Sequence, residues 1–565
     1  MKKLYAFMMA AALAQGAQAQ VMEQFNGASF TKFSDDGEWL VENLQGTVNI
    51  ARRSTGDQWE NSDPNGLKMY MAGQGHAVSD DGELVGMAGD SAAVWKLGVW
   101  TPLPQPTGVG SSYNTGHAIT PDGRRICGVL GTDGTSMTGD NADVMAYPVV
   151  WTRNGKGEYE AETLPYPKKD FLGMTPQFVT AIAMSDDGRT IAGQVRDYSG
   201  FYVIPILWRE AADGTWSSRM LGAEEVYDAS KLGELPEMPT APTMPNANDY
   251  MTADDVDAYN AALAKYEEEL EKYYNGETDT YPDYPLMEDY ISDAAQKAAY
   301  EAAMAQYQRD QQQYMQDYTD YMTKRDEIVT NKSFVQNALC LSGNGRWLGV
   351  TLEDRGQGGG DYWGSSATNT AGVFDLAEDD PKYEAINTDG SWLTTAALND
   401  GTIIYATPSA AYTRTSYVST LTGGKRSSAA FGDYVYDLNQ EAGKWVEDNN
   451  TYDVALWGYD DDYNLIVTGT AEDSLVTGTV MANSDGTVFV SYYTDDLTEE
   501  SSGQTLSYII DLTASNGIHG TAAGQRGEAT ETRLYNLQGQ RIQAAPASGL
   551  YIEERGGKAT KRVAK

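Results

Sequence analysis

Few residues in this sequence have chemistry to offer. Three histidines and two cysteines occur in 565 residues, too few for a disulfide framework or a structural zinc module. His76 and His117 both stand in Gly-His-Ala, three residues before the Ser or Thr of a recurring phrase. A catalytic histidine normally occurs once, so a histidine that returns in register is expected to make a structural hydrogen bond. Cys127 and Cys340 fall in apolar, strand-like runs and are expected to be buried and inert. The acidic pairs Asp35-Asp36, Asp80-Asp81 and Asp186-Asp187 invite comparison with the paired carboxylates of glycoside hydrolysis. Their recurrence marks them as turn residues instead. No Gly-x-Ser-x-Gly elbow, His-Glu-x-x-His helix or phosphate-cradling loop is present, and no catalytic residue is assigned. Asp133, Asp140 and Asp143 lie close together, but their spacing does not fit an EF-hand loop, so neither metal nor cofactor is expected. One loop, 355–364, sets Tyr362 and Trp363 side by side among glycines. Such a pair is a stacking platform for a sugar or peptide, or else a cover packed on a sheet.

The elements that must position these residues are read from charge and periodicity. The formal charge is −41, which repels polyanions, so nucleic acid is not an expected partner. A hydrophobic fraction of 41% supports a globular core. Lys2 and Lys3, the apolar run 4–13 and the small-x-small site Ala17-Gln18-Ala19 read as a signal peptide, 1–19, cleaved between Ala19 and Gln20. No later run reaches ~18 apolar residues, so no integral membrane segment is expected.

The recurring phrase is Ser-Asp-Asp-Gly or a variant, followed by an apolar run ending near Gly. It stands at Ser34–Gly37, Ser79–Gly82, Thr120–Gly123, Ser185–Gly188, Ser342–Gly345, Leu398–Gly401 and Asn483–Gly486, with a degenerate copy at 460–469. Asp-Gly and Asn-Gly supply the positive-φ residues of tight turns, and β-branched runs flank them. Later strands end in Trp95, Trp151 and Trp208. The first spacings are 45 and 41 residues, the period of a propeller blade. The repeats resemble secreted β-propeller repeats related to WD-repeat proteins, over about residues 33–512. The expected fold is therefore mainly β: a seven- or eight-bladed β-propeller with an inserted α-helical hairpin and a small C-terminal β tail. A pair of open sandwiches is the structural alternative. The resemblance implies no particular function.

The insertion is expected at 230–332, between propeller parts 20–229 and 333–514. Pro236, Pro239, Pro242 and Pro245 recur every third residue, as in a polyproline spacer. Thr252-Ala253-Asp254-Asp255 reads as a capping box opening a helix that Asn275-Gly276 stops. A second helix is expected from about Glu288 to Val329, roughly 60 Å long. The tyrosines at spacings of 3 and 4 are expected to pack between the two helices, or to dock a partner where the longer helix is uncovered.

A linker, 515–530, precedes a basic segment, 531–565. Tyr535, Asn536, Gly539, Gln540, Gly549, Tyr551, Ile552 and Lys565 closely resemble the C-terminal sorting module of type IX secretion in Bacteroidetes-like bacteria. That resemblance implies recognition by secretion machinery and an extracellular or cell-surface location, with periplasmic retention as the alternative. The expected role is a secreted or surface binding protein with a glycan or protein ligand. The alternatives are an extracellular hydrolase or lyase with a loop-built site, or a structural part of an envelope complex.

Overall fold

A computed structural model describes residues 22–26, 30–44, 47–53, 57–62, 77–88, 91–106, 113–131, 146–169, 171–173, 176, 178–197, 202–356, 368–387, 392–406, 416–441, 451–459, 465–474, 478–494, 505–512, 533–535, 541–542, 549–555 and 558–564. Six antiparallel four-stranded sheets span 30–62, 77–102, 113–163, 179–220, 332–385 and 393–430. In each the strands follow one another in chain order, and each opens on the strand that precedes a turn phrase. A seventh sheet contains Thr479–Ala482, Val488–Thr494 and Thr505–Asp511, and its next strand is Met22–Asn26 from the other end of the chain. Consecutive sheets touch through their first strands, and the seventh touches the first, so the ring closes. This is a β-propeller.

The degenerate eighth phrase does not build a sheet of its own. Its flanking strands, Thr451–Tyr459 and Leu465–Ser474, pair with each other, and the first joins Met22–Asn26 in parallel. They extend the seventh sheet to six strands.

The core lies between sheets. Trp95, Trp151 and Trp208 are fully buried on third strands. The indole Nε1 of Trp151 donates to Pro104 O at 2.7 Å, and that of Trp208 to Pro165 O at 2.9 Å. Each proline follows the outermost strand of the preceding sheet, so Trp151 and Trp208 fasten their sheets to the preceding ones. A helix outside the repeat pattern, Phe431–Glu441, wedges Phe431 and Val435 between Ile404 and Val418 of the sixth sheet and Val480 and Phe489 of the seventh.

The second Gly of the repeat has a steric cause. Four first strands carry one extra residue at the same register: Thr31, His117, Ile182 and Thr395. Across from two of these bulges stand Gly128 and Gly193. A Cβ there would lie 2.1 Å from Thr115 O and 1.9 Å from Thr180 O.

Residues 227–330 form a second compact unit. Helix α1, Ala253–Tyr274, opens on the full Thr252/Asp255 capping box. Helix α2, Ala294–Ile328, starts six residues later than expected, because Met287–Tyr290 makes a separate 3₁₀ turn and Asp293 caps the helix. Its 35 residues span about 52 Å. The tyrosines pack, but α1 and α2 share no seam. On α1, Tyr259, Tyr266 and Tyr273 meet Tyr290, Tyr284 and Tyr281 of the returning connector edge to face, at 5.6, 5.2 and 5.2 Å. The Pro-rich segment returns along α2. It is anchored where Lys231 Nζ donates to Glu327 O and where Tyr250 meets Tyr300. Ala247, Ile291 and Tyr300 form the small core of this unit. Among the described residues no helix is long and apolar enough to cross a membrane.

Candidate functional site

Three regions gather side chains that could act: the ring of turns, the channel wall beneath it, and a groove on the outer edges of two sheets.

The turns have one internal chemistry. The buried hydroxyl of Ser34, Ser185 or Ser342 donates to the Asp or Asn two residues on and accepts an amide from the following strand. The glycines sit at φ +66° to +91°. The turns also bond to one another. Asp36 N donates to Asp80 Oδ1, Asp80 N to Pro121 O, Asp186 N to Gly343 O, Asn399 N to Ser484 O and Ser484 N to Asp35 Oδ1. Ser484 Oγ reaches across from the seventh sheet to Asp186 Oδ1 of the fourth at 3.0 Å. The repeated carboxylates are thus turn residues, as expected, yet those of several turns crowd one mouth of the ring. Burial and then nearby aspartates push Asp80 up to about 6, and burial, Asp35 and Asp485 do the same for Asp186. Asp186 is the more exposed of the two, so water screens it better.

Beneath the turns the first strands line the channel. His117 occupies a bulge, and its Nδ1 lies 2.6 Å from Ala181 O of the next sheet. That bond has the structural character expected of it. His76 lies outside the described residues. Cys127 is buried, and burial pushes its thiol up to about 12; Cys340, half-buried, is pushed equally high. Lys32, on the same wall, was not singled out by sequence reasoning. Its signal is visible only when the repeats are aligned: it holds a position that four of the other six fill with alanine.

The third region is a groove of about 480 Å³ between the outer edges of the third and fourth sheets. Tyr147, Tyr166 and Trp216 line it with Leu164, Pro165 and Glu162. The Tyr147 and Tyr166 rings lie 5.8 Å apart at 53°, and Tyr166 Oη donates to Pro176 O at 2.5 Å. Trp216 is held by Arg125, whose guanidinium sits 5.9 Å from the ring centroid and pairs with Glu210 at 2.9 and 2.8 Å. The aromatic positions are fixed by these contacts, and Glu162 is exposed at their side. Sequence reading missed this groove because its residues come from two repeats and lie outside the turn phrase.

Tyr362 and Trp363, the aromatic pair proposed from sequence, lie outside the described residues, as do Ala19, Gln20, His519 and 133–143. Of the sorting-like tail, Tyr535 lies in Arg533–Tyr535 and Gly549, Tyr551 and Ile552 in Gly549–Arg555, two strands paired in one sheet. Asn536, Gly539, Gln540 and Lys565 lie outside the described residues. Among the described residues no cluster of three metal-ligating side chains occurs.

No protein-family model matches this sequence, and no match is found among curated proteins. Among solved structures the chain is similar to hydrazine synthase from Kuenenia stuttgartiensis, at 12% identity over 88% of this chain and 97% of that one, TM-score 0.36. It is similar to the WD40 domain of SCAP from fission yeast, at 8% identity over 88% and 86%, TM-score 0.31. A third is an ancestral GH74 enzyme, at 8% identity over 98% and 63%, TM-score 0.36. The propeller assignment rests on the closed ring of sheets described above.

Proposed function

We propose that this chain is an exported propeller that binds glycans in the groove between its third and fourth sheets. The carrying observation is the groove itself: three aromatic rings with one exposed carboxylate, the combination that stacks on sugar faces and accepts sugar hydroxyls. Among the described residues that line the groove Glu162 is the one carboxylate, whereas glycoside hydrolysis ordinarily takes two. This favours binding over a hydrolase or lyase. The signal-peptide-like start and the sorting-like tail support export to the cell surface or beyond, through type IX-like machinery in a Bacteroidetes-like bacterium. The 355–364 loop, with Tyr362 and Trp363, is a second stacking surface under the same reading.

A glycan array probed with the mature chain tests it. Saturable binding that Trp216→Ala abolishes is the expected result, and Trp363→Ala reports separately on the loop. A blank array, or binding untouched by Trp216→Ala and Tyr166→Ala together, removes the groove from consideration.

A further inference from the structure

The groove between the third and fourth sheets is rich in acceptors. Tyr166 Oη is already committed as a donor to Pro176 O, and Thr215 Oγ1 donates to Asp213 Oδ1 at 2.7 Å. Toward a ligand both hydroxyl oxygens can only accept. The Glu162 carboxylate only accepts as well. It is exposed, and among the described residues its side chain has neither an ion-pair nor a hydrogen-bond partner.

The charge that reaches the groove is negative. Among the described residues that line it, Glu162 is the one charged side chain. Glu160, two positions back on the strand Tyr159–Thr163, shares its face of the sheet and is exposed. Asp213 precedes Gly214 of the lining, and the Thr215 hydroxyl and amide hold its carboxyl below the usual carboxylate range, so it stays ionised. The cations nearby are engaged elsewhere. Arg125 and Arg189 both pair with Glu210, and Arg219 pairs with Asp380. Lys168 and Lys169 follow Tyr166 in sequence but do not line the groove.

These features select among glycans. An ammonium brings three donors and no acceptor, and it is attracted both to a carboxylate and to the faces of aromatic rings. The Tyr147 and Tyr166 rings, 5.8 Å apart and tilted by 53°, line with Trp216 a space of about 480 Å³, the size of a small-ligand cleft. A uronate, sulfate or phosphate would instead face Glu162 and a chain of charge −41. Resting on the glycan reading above, we propose that the groove is selective for amino sugars: the sugar faces stack on Tyr147, Tyr166 and Trp216, and a protonated sugar amine pairs with Glu162. Acetylation of that amine removes the charge and leaves one N–H in place of three.

Two trimers of the same sugar, one of glucosamine and one of N-acetylglucosamine, test this by calorimetric titration of the intact chain at low salt and about pH 6, where amines are charged. The glucosamine trimer is expected to bind about fivefold tighter or more, with the margin shrinking as salt is raised. Glu162→Gln, an exposed change that orphans no partner, is expected to abolish the margin. Trp216→Ala is expected to abolish binding of both trimers. Equal affinity of the two trimers, or a margin that survives Glu162→Gln, overturns the amine selectivity and leaves the groove a glycan site. A lysine tripeptide that binds as tightly as the glucosamine trimer also overturns it, because charge alone would then be read. Binding of neither trimer overturns it too, and the glycan array then decides whether the groove takes glycans at all.

Discussion

Asp511→Ala should weaken the closure of the ring more than any surface charge change. Asp511 ends the strand Thr505–Asp511 of the seventh sheet, and Arg53 follows Thr47–Arg52 of the first. Their side chains are 3% and 2% exposed, with Arg53 Nη2 3.1 Å from Asp511 Oδ2. Arg53 Nη1 also donates to Gly37 O at 2.8 Å, so the pair braces a turn as well as a seam. At an effective dielectric of 20 the attraction is about 5 kcal/mol. Removing one partner leaves a buried guanidinium without its counter-charge, a loss of about 3–5 kcal/mol. Asp511→Asn keeps the size and an acceptor, and should cost about half as much. Urea unfolding followed by tryptophan fluorescence reads both. The pair Arg53→Met with Asp511→Leu removes both charges and should lie within about 1–2 kcal/mol of wild type. A loss below about 1 kcal/mol for Asp511→Ala, or a double variant no better than the single, would refute the reasoning.

Three further outcomes follow from the same geometry. Gly193→Ala drives a methyl into Thr180 O and should cost about 1–3 kcal/mol or prevent folding, read as lost thermal stability or lost soluble yield. Thr252→Ala removes the hydroxyl that accepts from Asp255 N and should destabilise α1 by about 1 kcal/mol, read as faster amide exchange at 253–258 in the intact chain. Asp80 and Asp186 have folded pKa values near 6, above the usual 3.8, so their contribution is fully present below pH 4 and is lost as pH rises through 6. Asp80→Asn should therefore stabilise at pH 7.5, by about 1 kcal/mol after solvent screening, and the gain should vanish at pH 4. A gain that persists at pH 4 contradicts the assignment.

The parts of this fold legible in the sequence are those with local causes. Ser-x-Asp-Gly closes its own turn through bonds spanning two to five residues, and the Thr252/Asp255 box caps its own helix. Both read directly from the chain. The parts that stayed hidden depend on partners far away in sequence. The tyrosines of α1 announce an apolar stripe, but nothing in their spacing says that Tyr281, Tyr284 and Tyr290 cover it in place of α2. The copy at 460–469 has the pattern of a repeat, yet its strands add to an existing sheet. Asp186 reads as a turn residue and is one, but its bond to Ser484, 298 residues away, exists only once the ring has formed. The groove is equally non-local, since Tyr166 and Trp216 are brought together by the packing of two outer edges.

The strand Met22–Asn26, paired with Thr505–Asp511 inside the last sheet, imposes an order of events on synthesis. At about 5–20 residues per second, the ribosome needs roughly half a minute to a minute and a half to travel from one partner to the other. Until Thr451–Tyr459 and then Thr505–Asp511 emerge, the first strand has no edge to join, and the ring stays open. Individual sheets can form as they emerge, but cooperative closure waits for nearly the whole chain. A polypeptide built this way remains an unclosed string of hairpins while it is being made.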